Sequence, residues 1–228
     1  MLSRDVDRLK RILGSGCDPR AYTGAINPLQ LAIARGQVDE TRLLLEAGAD
    51  PNAIGHDGSP VVRWLGSGQR VTDGDLLEVA MLLDRYHCSF EDGEGGRPVD
   101  LIVNLSRRKV PRTLAFLASK HVRGDYSRAL KAIARGEDVR SMKALLDAGA
   151  APGPALRDAA SAGRTDAVEL MLTYVTDKRS SEVLAAYESA IRAGHTDAAQ
   201  AFADAGVDSG SAESPYAGAG AASAEKAR

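Results

Sequence analysis

A chain of 228 residues with a net charge of −2 and only 4% aromatic residues can build a sizeable core, but it has no overall basic field to attract nucleic acid or an anionic membrane. Its two cysteines, Cys17 and Cys88, have no metal-ligand spacing around them, which fits a reducing, cytoplasmic compartment. Arg4, Asp5, Asp7, Arg8, Lys10 and Arg11 leave no apolar signal core at the start, and no later stretch is apolar for long enough to span a bilayer.

In chain order, Asp5 to Leu13 reads as a helix with Val6, Leu9, Ile12 and Leu13 inward, closed by Gly14-Ser15-Gly16. No partner helix precedes it. It serves either as a polar half-cap of a stack or as the remainder of a pair whose first helix the gene model lacks. The next stretch, Asn27 to Asp50, reads as two short helices back to back. Pro28 suits a first helical turn, Leu29, Ala32 and Ile33 share a face, and Gly36 breaks the helix. The second helix starts near Val38, turns Val38, Thr41, Leu44 and Leu45 inward, and ends at Gly48 as a left-handed cap.

Two helices of about three turns cannot bury an apolar face alone, so copies should stack beside them. The quartet recurs at the same internal spacing as Leu76, Val79, Leu82, Leu83; Val110, Thr113, Phe116, Leu117; Val139, Met142, Leu145, Leu146; Thr165, Val168, Met171, Leu172; and Thr196, Ala199, Phe202, Ala203. Successive copies lie about 26 to 38 residues apart, the period of a solenoid.

The third pair is expected to carry Trp64 at the small Ala32 position as core filling, with a turn from Gly66 to Asp73 about six residues longer than its counterpart. The fourth follows an acidic loop, Phe90 to Pro98, and has Arg107-Arg108-Lys109 between its helices, read as a solvated turn. The fifth repeats Ala32-Ile33-Ala34-Arg35-Gly36 verbatim at Ala132 to Gly136. The last two keep Ala159 and Ala190 at the small position and Gly163 and Gly194 at the turn, joined by shorter loops. From 209 to 228 the Ala/Gly/Ser-rich composition predicts a disordered tail.

The chain resembles the ankyrin-repeat family. Asn27-Pro28-Leu29-Gln30 stands where that family has Thr-Pro-Leu-His, Leu44 to Asn52 matches its Leu-Leu-x-x-Gly-Ala-Asp-x-Asn run, and His56-Asp57-Gly58-Ser59-Pro60 looks like the next finger. The resemblance implies an all-α solenoid of about six to seven helix-turn-helix units over 1–208, the first a half-unit. The approximate units are 1–20, 21–53, 54–92, 93–122, 123–151, 152–180 and 181–208, with fingers in the N-terminal half and short loops in the C-terminal half. It also implies a concave finger and first-helix side that binds other proteins.

No phosphate loop, His-Glu-x-x-His, Gly-x-Ser-x-Gly elbow or calcium loop is present in the sequence, and His56, His87, His121 and His195 fall in four different repeats. The expectation is a non-enzyme with no cofactor and no metal. Packing leaves finger tips and exposed first-helix ends free to be read by a protein partner. The candidates are Gln30, Arg35, Asn52, Ile54, His56, Asp57, Phe90, Glu91, Asp92, Glu94, Asp100, Arg123, Asp125, Tyr126, Arg128, Lys131 and Arg135. The expected protein is a monomer when free, with no nucleic-acid or membrane partner. Richness in Ala, Gly, Arg and Asp points to a GC-rich bacterial genome, where such a module acts as an inhibitor or toxin-neutralising immunity protein, or as an adaptor in a host cell. Nucleic-acid binding through Arg107 to Lys109 is the alternative of another class.

Overall fold

A computed structural model of the chain describes residues 2–20, 27–55, 58–90 and 101–207. Among them are twelve α-helices and one 3-10 turn, with no strand beyond an isolated antiparallel bridge between Ile54 and Pro60. The chain divides into two compact units, Met1–Asp125 and Tyr126–Arg228.

The first unit holds α1 (Leu2–Gly14), α2 (Pro28–Ala34), α3 (Val38–Glu46), the 3-10 turn Val61–Trp64, α4 (Asp73–Arg85), α5 (Leu101–Ser106) and α6 (Pro111–Ser119). Helix α2 begins where Asn27 accepts from the Leu29 amide at 2.8 Å and Gln30 reaches back to the Asn27 amide at 3.1 Å, a reciprocal cap on two otherwise orphaned donors. Helix α3 ends in left-handed Gly48, with Ala49 N–H donating to the Leu44 carbonyl and Gly48 N–H to that of Leu45. The second helices α3, α4 and α6 pack in sequence, with Leu44, Leu45, Leu76, Val79, Leu83, Leu114 and Leu117 at 3% exposure or less. Ile12, expected inward, is instead 42% exposed, because α1 packs on α3 through one side only.

The third pair departs from expectation. Its first helix shrinks to the 3-10 turn, because Leu65 is extended (ψ 117) and Gly66 left-handed (φ +76), which turns the chain into the long loop. That loop is gripped on both sides. Gly68 N–H donates to the Ala34 carbonyl at 2.9 Å, and a Cβ on Gly68 would lie 2.0 Å from that oxygen. The Arg108 guanidinium donates to the Gly68 carbonyl from the other side. Trp64 is half-buried, as expected of a core filler, with its indole nitrogen facing no partner among the described residues.

Side chains also supply backbone partners across repeats. Helix α6 has no cap from its own Val110. Asp73, at the start of α4, instead accepts from the amides of Arg112 and Thr113 at 3.0 Å each and from the Thr113 hydroxyl at 2.8 Å. Arg20 donates to the Gly48 carbonyl at 2.7 Å, at the open end of α3.

The second unit holds α7 (Tyr126–Ile133), α8 (Val139–Asp147), α9 (Gly153–Ser161), α10 (Thr165–Thr173), α11 (Ser181–Arg192) and α12 (Thr196–Asp204). First helices α7, α9 and α11 lie side by side, and second helices α8, α10 and α12 do the same. Ala155, Ala159, Ala160, Ala186 and Ala190, all fully buried, allow the close approach of α9 and α11. The core is completed by Leu130, Met142, Leu145, Leu156, Val168 and Met171, and by Tyr187 against Phe202 with ring centroids 5.6 Å apart. The His195 ring lies over left-handed Gly163, where a Cβ would come within 2.7 Å of it, and its Nε2 is 3.1 Å from the Ser161 carbonyl.

Candidate functional site

Each first helix of the second unit spends one face on the core and leaves the other outward. On α7 the buried residues are Ala129, Leu130 and Ile133, so Arg128 and Lys131 on the helix, and Arg135 just beyond it, are exposed. On α9 the same phasing exposes Pro154 and Arg157 and leaves Asp158 half-buried, and on α11 it exposes Glu182. Lys131, Gly153, Pro154, Arg157, Asp158 and Glu182 together line a cleft of about 380 Å³. Glu182 closes over Gly153, where a Cβ would lie 1.8 Å from its carboxylate oxygen, so a side chain there would push the exposed Glu182 carboxylate aside. Arg135 reaches Asp158 at 3.0 Å, an exposed pair that orders the rim while contributing at most about 1 kcal/mol. The cleft thus presents two cations and two carboxylates on a backbone fixed by the alanine seam. It suits recognition of a polar surface of mixed charge.

The first unit offers a finger and the end of α2. Gly55 N–H donates to Ser59 O at 2.7 Å and Val61 N–H to Ala53 O at 3.1 Å, which closes a hairpin with Ile54 52% exposed on its flank. Its tip residues His56 and Asp57, like Glu91, Asp92, Glu94 and Asp100, lie outside the described residues. Arg35 is exposed, and Leu31, one turn before it, is 36% exposed on the same face.

Two of the expected contact residues do other work. Gln30 is not on the surface: it is 2% exposed, because its side chain folds back into the cap of α2. Asn52 is exposed, yet its amide is committed, donating to the His87 carbonyl at 3.1 Å and accepting from the Ser89 amide at 2.6 Å. Phe90 is half-buried, and Arg123 and Asp125 are exposed. Tyr126 opens α7 half-buried, and burial pushes its phenol above the usual value.

Reactive chemistry finds little purchase. The Cys88 thiol is buried and donates to the Pro51 carbonyl at 3.1 Å, and burial with the nearby Asp50 charge pushes it up to about 12, so it is not a thiolate at neutral pH. Among the described residues no three His, Cys, Asp or Glu side chains converge as a metal site, and no helix is long and apolar enough to cross a membrane. In the basic run, Arg108 is spent on the long loop, while Arg107 and Lys109 are exposed. On the second helices Lys143, Asp147 and Tyr174 form an exposed cluster, in which hydrogen bonds from Lys143 and Tyr174 hold the Asp147 carboxyl below its ordinary range.

Sequence reasoning singled out Lys131 and Arg135 but missed Arg157, Asp158 and Glu182. Their signal was the same outward phasing continued onto α9 and α11. No curated protein matches the sequence. Residues 26–56 match the family model of the ankyrin repeat, a span that contains both helices of the α2–α3 pair and runs on into the finger.

Proposed function

We propose that the chain is a non-catalytic binding module whose first-helix and finger side chains read the surface of a protein partner. Ankyrin repeats are in general protein–protein interaction modules, and the observation that carries the reading here is the cleft on α7, α9 and α11. Its charged rim stands on buried alanines, so the backbone beneath it is already ordered and a partner has only side-chain rotamers to fix. The acidic run Glu91-Asp92-Gly93-Glu94 favours a basic patch on the same partner, mainly through encounter rate and orientation. Action is by occupancy. The preferred use is as an inhibitor or toxin-neutralising protein of a bacterial cytoplasm, and the runner-up is an adaptor that binds its partner without inhibiting it.

Co-purification from the native cell identifies the partner, and calorimetric titration against Lys131→Glu with Arg157→Glu tests the face. The expected result is a loss of affinity of at least tenfold with the fold intact. Unchanged affinity moves the site elsewhere. Stoichiometric loss of the partner's own activity separates inhibitor from adaptor.

A further inference from the structure

The second helices of the first unit carry a feature that a merely solvated outer surface does not need. Arg42 on α3, Glu78, Met81, Leu82, Asp84 and Arg85 on α4, and Phe116 and Lys120 around α6 enclose a groove of about 510 Å³. Its floor is apolar. Met81 is 51% exposed, although the next residue, Leu82, is buried at 6%.

Helix α6 closes as α3 does: left-handed His121 stands where α3 has Gly48, and Val122 N–H donates to the Leu117 carbonyl as Ala49 N–H does to that of Leu44. In that register Thr113, Leu114 and Leu117 are buried, and Phe116 falls at the half-exposed position that Leu43 holds in α3, in the groove wall. Lys120 then fixes that wall, 2.6 Å from Asp84 and 5.6 Å from the Phe116 ring centroid.

With Lys120 and Asp84 matched to each other, the remaining rim charges are Arg42, Arg85 and Glu78, a net balance of one positive charge around an apolar floor. Among the described residues no strand edge is offered, so strand addition is not available to a partner, and one ring is too few for the paired slots of a polyproline ligand. A helix laid along the ridges of α4 and α6 fits both shape and charge. Met81 supplies a side chain that repacks around different apolar residues.

We infer that the groove between α4 and α6 is a second docking surface, and that its occupant is an acidic amphipathic helix of a partner protein. Apolar residues of that helix seat on Met81 and Phe116, and its carboxylates meet Arg42 and Arg85. The site is independent of the first-helix face and uses the opposite helices of each pair.

The test uses two labelled helical peptides with one leucine stripe, the first with glutamates on its polar face and the second with lysines. Each is titrated by fluorescence anisotropy against the full chain and variants. The acidic peptide is expected to bind at least tenfold more tightly than the basic one, and Met81→Glu, at an exposed position that leaves the core alone, to weaken it tenfold or more. Arg42→Glu with Arg85→Glu is expected to reverse the preference. Equal binding of the two peptides, binding indifferent to Met81→Glu, or a Met81-dependent dimer of the chain in sedimentation would each overturn the inference.

Discussion

Replacing Asp73 with alanine should cost the first unit about 2–3 kcal/mol, far more than an exposed helix-start carboxylate usually contributes. The carboxylate stands in for the missing cap of α6, accepting from two of the amides that open that helix and from the buried Thr113 hydroxyl. Loss of a helix cap costs ~1 kcal/mol. The Thr113 amide and hydroxyl, in a residue with no exposure, then lose a charged acceptor, for roughly 1–2 kcal/mol more. The hydroxyl retains the Asp73 carbonyl at 3.2 Å, which limits the total. Urea unfolding followed by circular dichroism measures the difference. Asp73→Asn, which keeps one acceptor, should lose about half as much. A double-mutant cycle with Thr113→Val should show a coupling of about 1 kcal/mol. A loss for Asp73→Ala below about 0.5 kcal/mol, the ordinary range for a surface change, would refute the cross-repeat cap.

Three further outcomes are expected. Gly68→Ala places a Cβ on the Ala34 carbonyl and should destabilise by at least about 2 kcal/mol in the same urea assay, and a neutral result would mean that the long loop is not gripped there. His87 and His121 hold left-handed conformations that glycine adopts freely, so His87→Gly and His121→Gly should each stabilise by roughly 0.5–1 kcal/mol; destabilisation by either removes the argument from strain. Under native conditions at neutral pH, Ellman's reagent should titrate the exposed Cys17 quickly and Cys88 only on unfolding. Since the folded Cys88 thiol sits at about 12 against an ordinary 9.0, the unfolded chain loses its proton first, so stability should fall as pH rises from 9 towards 12, and Cys88→Ala should flatten that slope.

The second helices were legible because their inward residues repeat with a helical period and most end in glycine or a bulky apolar pair. The first helices were less so. Ala32 to Gly36 and Ala132 to Gly136 are identical, yet Ala32 is buried inside α2 while Ala132 is exposed near the end of α7. Gly36 is left-handed and packed under Val71 from the long loop, and Gly136 is exposed without that neighbour. Tertiary surroundings decided the difference, and no window of five residues contains them. The long loop itself was visible as extra length, but its grip on Ala34 depends on distant atoms. On the candidate faces, charge at Lys131 and Arg135 could be read from what the core does not use. The exposure of Phe116 could not, because the recurring quartet lies one residue out of register with the helix that forms: Leu117 takes the place of Leu44, and Phe116 that of half-exposed Leu43.

A chain of near-copies invites shortening by one copy, as if the pairs were spare parts. The borrowed caps argue otherwise. Arg20 serves a carbonyl after α3, Asn52 one after α4, Asp73 the opening of α6, and Lys178 the Ala205 carbonyl at the end of α12. Excising a pair that lends one of these caps strands the backbone that borrowed it, so viable deletions will be those that carry the lender and the borrower away together.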